Sequence, residues 1–185
     1  MAIVPDDKDW TWVVHRPCSE CGFDATTLTR DDVAPAIRAN AAAWQQILAR
    51  GDGVRQRPRP DCWSPLEYAC HVRDVYRLYD YRLGLILSID DPSYPNWDQD
   101  VTAIEDRYDQ QDPAVVAVEL GDAGEKIASN FAAVHDEQWL RTGTRSDGAR
   151  FTVDSFSRYL VHDLVHHIYD VGYMTSEQVR SQSTS

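Results

Sequence analysis

Apolar positions recur at helical spacing through four long stretches of the chain. In the first, Ile37, Ala41, Trp44 and Leu48 fall on one face, predicting a helix from about Asp31 to Arg50 closed by Gly51. The second opens on Ser64-Pro65-Leu66-Glu67, a capping serine, a first-turn proline and a glutamate three residues after the serine. That helix should run to about Ile89, where Asp90-Asp91-Pro92 ends it. The third follows Asp112-Pro113 and reaches about Val134, weakened locally by Gly121 and Gly124. The fourth spans Val153 to about Val171, with Gly172 beyond it.

Between these stretches the pattern loosens. Gly51 to Pro60 is a loop, Trp97 to Tyr108 suggests a short helix, and Ser146-Asp147-Gly148 marks a turn, compatible with a small hairpin, within Arg141 to Thr152. Residues 1–28 are irregular, and the alternation around Trp10, Trp12 and Val14 fits a short strand or an extended arm packed on the helices. The tail at 175–185 is polar and expected to be flexible. Four amphipathic segments with little strand signal predict an all-α, up-down four-helix bundle over 29–174, preceded by an irregular arm at 1–28 that carries a CxxC pair.

Composition narrows the function. A net charge of −12 repels phosphate backbones, so nucleic acid is an unfavoured partner. No apolar run approaches the roughly 20 residues that span a bilayer, and no secretion signal is evident, so a cytoplasmic protein that does not engage a membrane is expected.

Candidate chemistry lies with the histidines. With His71 as the zero direction, Val75, Leu78, Arg82, Leu85 and Ile89 project along the same side, so His71 should face the bundle interior. A buried imidazole must satisfy both ring nitrogens through hydrogen bonds or a metal. His162 and His166, four apart on the last helix, share a face with Arg158, Tyr159 and Tyr169. Two imidazoles one turn apart can ligate one ion, although an HxxxH pair alone is a weak signal, common among exposed histidines.

Trp63-Ser64-Pro65-Leu66-Glu67 with His71 and Asp74, followed by HxxxH on the last helix, resembles the DinB superfamily, which includes thiol-dependent transferases and the mycothiol-dependent maleylpyruvate isomerase. The resemblance covers about Asp31 to Tyr173 and implies a four-helix bundle with a metal at one end of its interior. It carries the ligand roles onto His71, His162 and His166. The isomerase branch replaces the first of the paired ligands by glutamate, which leaves an offset alternative here in Asp163 and His167.

Three neutral histidines suit zinc or nickel with open coordination positions. The resemblance then implies activation of a low-molecular-weight thiol, such as mycothiol or bacillithiol, for transfer to a small electrophile. Arg158, Tyr159 and Tyr169 would bind the cofactor thiol, and Asp74 would orient a ligand. No residue is assigned a catalytic role, and a homodimer is compatible with the family. The alternative is a non-enzymatic bundle with a structural metal or none.

Cys18-Ser19-Glu20-Cys21-Gly22 resembles half of a zinc knuckle. A structural zinc site needs four ligands, and Cys62, Cys70 or His15 could complete it, but no spacing selects among them. Free thiols are expected ahead of a disulfide, and a disulfide ahead of a second metal. Trp44, Trp63, Trp97 and Trp139 are expected to pack in the core or at its rim.

Overall fold

A computed structural model describes residues 9–174, 178 and 179. Its long helices are α1 (Arg30–Leu48), α2 (Pro65–Ser88), α4 (Pro113–Ala132) and α5 (Val153–Asp170), with a shorter α3 (Gln99–Glu105) between α2 and α4. A small sheet is made of β1 (Ser93–Tyr94), β2 (Thr142–Arg145) and β3 (Arg150–Thr152). Strand β2 pairs parallel with β1 and antiparallel with β3, and the turn between β2 and β3 carries Gly148 at a φ of +92°. The 175–185 tail lies outside the described residues, apart from Gln178 and Val179.

The helix starts follow from local chemistry. Ser64 accepts from the Glu67 amide at 3.3 Å while the Glu67 carboxylate accepts from the Ser64 amide at 2.8 Å. Trp63 and Tyr68, on either side of that box, bring their rings to 5.4 Å and staple the entering chain. Arg57 grips the same Glu67 carboxylate. Asp112 and Thr152 cap α4 and α5 through their side chains.

The helices α1 and α2 touch each other far less than either touches α4, and α5 packs chiefly on α1. Gly124 makes the α4 contacts possible, because a Cβ there would stand 3.0 Å from Ala41 and 3.2 Å from Tyr76. The glycine that weakens this helix intrinsically is therefore the price of close packing. Trp44, Tyr76, Leu120, Ile127, Phe156 and Leu160 fill the core. Polar groups within it are largely satisfied: Asn40 donates to the Leu164 carbonyl at 2.8 Å and accepts from the Tyr76 hydroxyl at 2.7 Å.

The arm departs from the strand expectation. Thr11–Val14 and Ala25–Thr27 are short 3-10 turns laid against α5. The expected Trp97–Tyr108 helix is shorter, with Asp98 capping it at Asp100 and Val101. On α2 the buried side drifts from the projected stripe. Val75 and Arg82 are buried, but Ile89 is exposed and Tyr76, Tyr79, Leu83 and Ile86 face inward instead.

Candidate metal centres

Helix α5 buries residues on more than one side. Phe156, Leu160, Leu164 and Ile168 enter the core, while His162 and His166 are buried too. The arm explains this, since Trp10 lies over both histidines with ring separations of 5.6 and 4.9 Å. His162 and His166 therefore face the arm, and the next register, Asp163 and His167, faces α2.

Two groups of metal-competent donors result. In each, one donor atom per residue lies within 4.8 Å of every other. One group is His71, Asp163 and His167; the other is Cys18, Cys21, His162 and His166. The expected trio of His71, His162 and His166 is thus divided between two places. The physical reason is the 100° step between adjacent helical residues, which sends neighbours on α5 to different partners.

In the first group, His71 is 1 % exposed and neither ring nitrogen has a hydrogen-bond partner among the described residues. Its ring stacks parallel to Trp97 at 5.2 Å, leans on Trp63 at 5.2 Å, and meets His167 edge-on at 4.8 Å. His167 Nε2 lies 3.5 Å from Asp163 Oδ1, close enough for charge attraction yet out of hydrogen-bond geometry. On its other side, His167 Nδ1 is 3.1 Å from Asp170 Oδ2. Orphaned buried nitrogens are rare and call for an explanation. Two imidazoles and a carboxylate converging with unsatisfied nitrogens fit a divalent cation, and the Asp170 contact is the carboxylate support that ligating histidines commonly have.

The electrostatics agree with this arrangement. Burial, with the nearby His167 charge, pushes His71 down to about 3, so it is a neutral donor at physiological pH. For His167, burial is outweighed by Asp163 and Asp170, which raise it to about 10. Burial likewise opposes ionisation of Asp163, but the His167 charge beside it holds its carboxyl well below the usual range. Without metal, a His167 proton thus occupies the place a cation would take.

In the second group, Cys18 Sγ is 3.7 Å from His166 Nδ1. His166 Nε2 points away, 3.6 Å from Asp170 Oδ1 and 3.8 Å from Glu20 Oε2. His162 Nε2 is buried without a partner among the described residues. A hydrogen bond from Cys21 pulls the Cys18 thiol far down against its burial, assisted by His162 and His166, and the same shared proton with burial pushes Cys21 up.

A model of the DinB superfamily matches residues 51–171. The chain belongs to the DinB superfamily. A solved structure from Bacillus subtilis, described as "YfiT from Bacillus subtilis is a probable metal-dependent hydrolase with an unusual four-helix bundle topology", aligns with a TM-score of 0.68 at 15 % identity. The alignment covers 93 % of each chain, and at that identity it speaks for the fold. A comparison with curated proteins returns no match. The DinB match includes His71, Asp163 and His167, whereas Cys18 and Cys21 precede it.

The other expected site residues are scattered in this DinB bundle. Arg158 pairs with Asp154 at 3.1 Å and donates to the Thr26 carbonyl at 3.4 Å, towards the start of α5. Tyr169 sits near His166, with rings 6.1 Å apart, on the arm side. Tyr159, one turn before Asp163, packs beside Phe151 and Arg145, whose guanidinium lies 5.9 Å from its ring. Asp74 pairs with Arg73 and Arg77 and accepts from the Tyr108 hydroxyl at 2.6 Å, so it serves that network and does not orient His71. Cys62, Cys70 and His15 belong to neither donor group among the described residues. Burial pushes the Cys70 thiol up to about 12, which keeps it protonated. Trp97, expected as packing, stacks on the His71 ring. Asp170 stands three residues after His167 in the offset register, and that spacing, with four residues to His166, is the sequence signal for its contacts with both rings.

Proposed function

We propose that this DinB protein is a metal-dependent enzyme that activates a low-molecular-weight thiol for transfer to a small electrophile, with His71, Asp163 and His167 holding a divalent cation, zinc or nickel. The observation that carries this reading is the buried His71 ring, with two unpartnered nitrogens, facing Asp163 and His167. Three protein donors leave coordination positions for a reactant, unlike a closed four-donor structural site.

A divalent cation bound there would supply a Lewis acid that lowers the pKa of a thiol or water at the open position. The protein's own residues prepare that position. His71 is kept neutral and fixed between Trp63 and Trp97, so it offers a lone pair without first losing a proton. Asp163 contributes the negative charge, and Asp170 holds the His167 ring through Nδ1, leaving Nε2 to face the centre. The indoles limit water at His71, which strengthens every charge interaction nearby. Tyr159, one turn before Asp163 on α5, and Arg145, at the end of β2 beside its ring, are positioned to meet a polar or anionic reactant. A cytoplasmic setting, where thiols are kept reduced, suits this chemistry.

The B. subtilis neighbour's description as a probable metal-dependent hydrolase supports a second reading of the same centre, in which water takes the thiol's place. The two are separable. Metal-loaded protein is incubated with mycothiol, bacillithiol, glutathione or coenzyme A and a generic alkylating electrophile, then with activated esters and amides. Metal-dependent thiol conjugation that disappears in His71→Ala is the expected result. Hydrolysis of the esters or amides with no thiol consumption overturns the transferase reading in favour of the hydrolase.

A further inference from the structure

The four donors on the arm side of α5 share no residue with the proposed reactive centre. We propose that Cys18, Cys21, His162 and His166 form a second, closed zinc site that clamps the N-terminal arm to α5.

The donor set is complete. Two thiolates and two neutral imidazoles fill a tetrahedral zinc ion's coordination and cancel its charge, so the loaded site can be buried without an unpaired ion. Cys18, Cys21, His162 and His166 are all buried. Zinc–ligand bonds of about 2.3 Å to sulfur and 2.0–2.1 Å to nitrogen place tetrahedral donors roughly 3.3–3.8 Å apart. The 3.7 Å between Cys18 Sγ and His166 Nδ1 falls in that range.

The backbone around the cysteines is shaped for the purpose. Gly22 N donates to the Cys18 carbonyl at 2.9 Å, and Cys18 N donates to the Phe23 carbonyl at 2.8 Å. This tight turn needs Gly22 at a φ of +82°, which favours glycine. It brings both sulfurs to one side, as a zinc knuckle does. Across from it, the i, i+4 spacing on α5 presents two rings on one face.

The surroundings support the ligands as well. His162 Nε2 is a buried nitrogen without a protein partner among the described residues. His166 presents Nδ1 to the sulfur and turns Nε2 towards Asp170 and Glu20, carboxylates that can fix its tautomer. Trp10 covers both rings. Four protein ligands under an indole leave no position for a reactant, so the role is structural. Because Cys18 and Cys21 lie before the DinB match, the clamp is an addition to the bundle that the match describes.

Cobalt(II) titration of the reduced, metal-free full-length protein provides the test. The expected result is one equivalent giving the visible bands of tetrahedral cobalt and a near-ultraviolet thiolate-to-cobalt band. Zinc should displace that signal, Cys18→Ser and His162→Ala should abolish it, and His71→Ala should leave it intact. Elemental analysis of Cys18→Ser should show one zinc fewer per chain. Wild-type protein without a thiolate-to-cobalt band overturns the proposal and needs no variant to fold. So does a Cys18–Cys21 disulfide in zinc-free protein purified under reducing conditions.

Discussion

Two donor clusters lie on adjacent faces of one helix, and they differ in completeness. Towards α2, His71, Asp163 and His167 supply three donors, with His71 nitrogens left unpartnered. Towards the arm, Cys18, Cys21, His162 and His166 supply four, two of them soft sulfurs. Three hard or borderline donors leave room for chemistry, whereas four donors with two thiolates leave none. A one-residue shift along α5, from His162 to Asp163 and from His166 to His167, separates the two sites.

The largest expected effect would break the comparison if it failed. Asp163→Ala and His71→Ala should remove metal from the three-donor centre and abolish turnover while leaving the four-donor site loaded. The loss of affinity should exceed the roughly 10–100-fold that a missing supporting contact costs. Metal titrations of each variant check this.

The next effect crosses the divide. Asp170 places one oxygen 3.1 Å from His167 and the other 3.6 Å from His166. Asp170→Asn should therefore weaken both sites, each by roughly 10-fold or more, and the closer His167 contact predicts the larger loss in the three-donor centre. Competition with a calibrated chelator measures both constants in the one variant.

pH reports on the three-donor centre. In metal-free protein His167 is raised to about 10, above an ordinary 6.5, so its stabilisation is full below 6.5 and declines as pH rises through about 10. His71, lowered to about 3, has the opposite sign: stability falls as pH drops from about 6.5 towards 3. Thermal melts of the chelated protein should accordingly peak near neutrality. Metal at the three-donor centre displaces the His167 proton and should flatten the alkaline limb. Calorimetric titration in buffers of different ionisation enthalpy should show that proton released.

The smallest effect is a control. Ser64→Ala removes the cap of α2 and should cost about 1 kcal/mol in denaturant unfolding. It should leave both metal affinities unchanged.

The bundle was legible because helix signals are local. The Ser64-Pro65-Leu66-Glu67 box and Asp112 before Pro113 state where helices begin, and the observed starts agree with them. The arm was less legible. Alternating Trp10, Trp12 and Val14 resembles a strand, but the side chains anchor a 3-10 turn on α5 rather than pair with a ladder. The donor grouping depended on that arm. An aromatic, histidine-bearing face of α5 looks like the interior of a metal centre until a distant segment is known to cover it. No spacing in the chain ties Cys18 to His166, 148 residues away, and only the fold brings them to 3.7 Å. Local propensity cannot specify such a contact.

Metal stoichiometry tests the division of α5 most directly. Elemental analysis should find two divalent ions per chain in fully loaded wild type, and one in each of two variants, His71→Ala with His167→Ala, and Cys18→Ser with His162→Ala. A single ion in the wild type, lost equally in both variants, would mean that the histidines act together and would contradict the account.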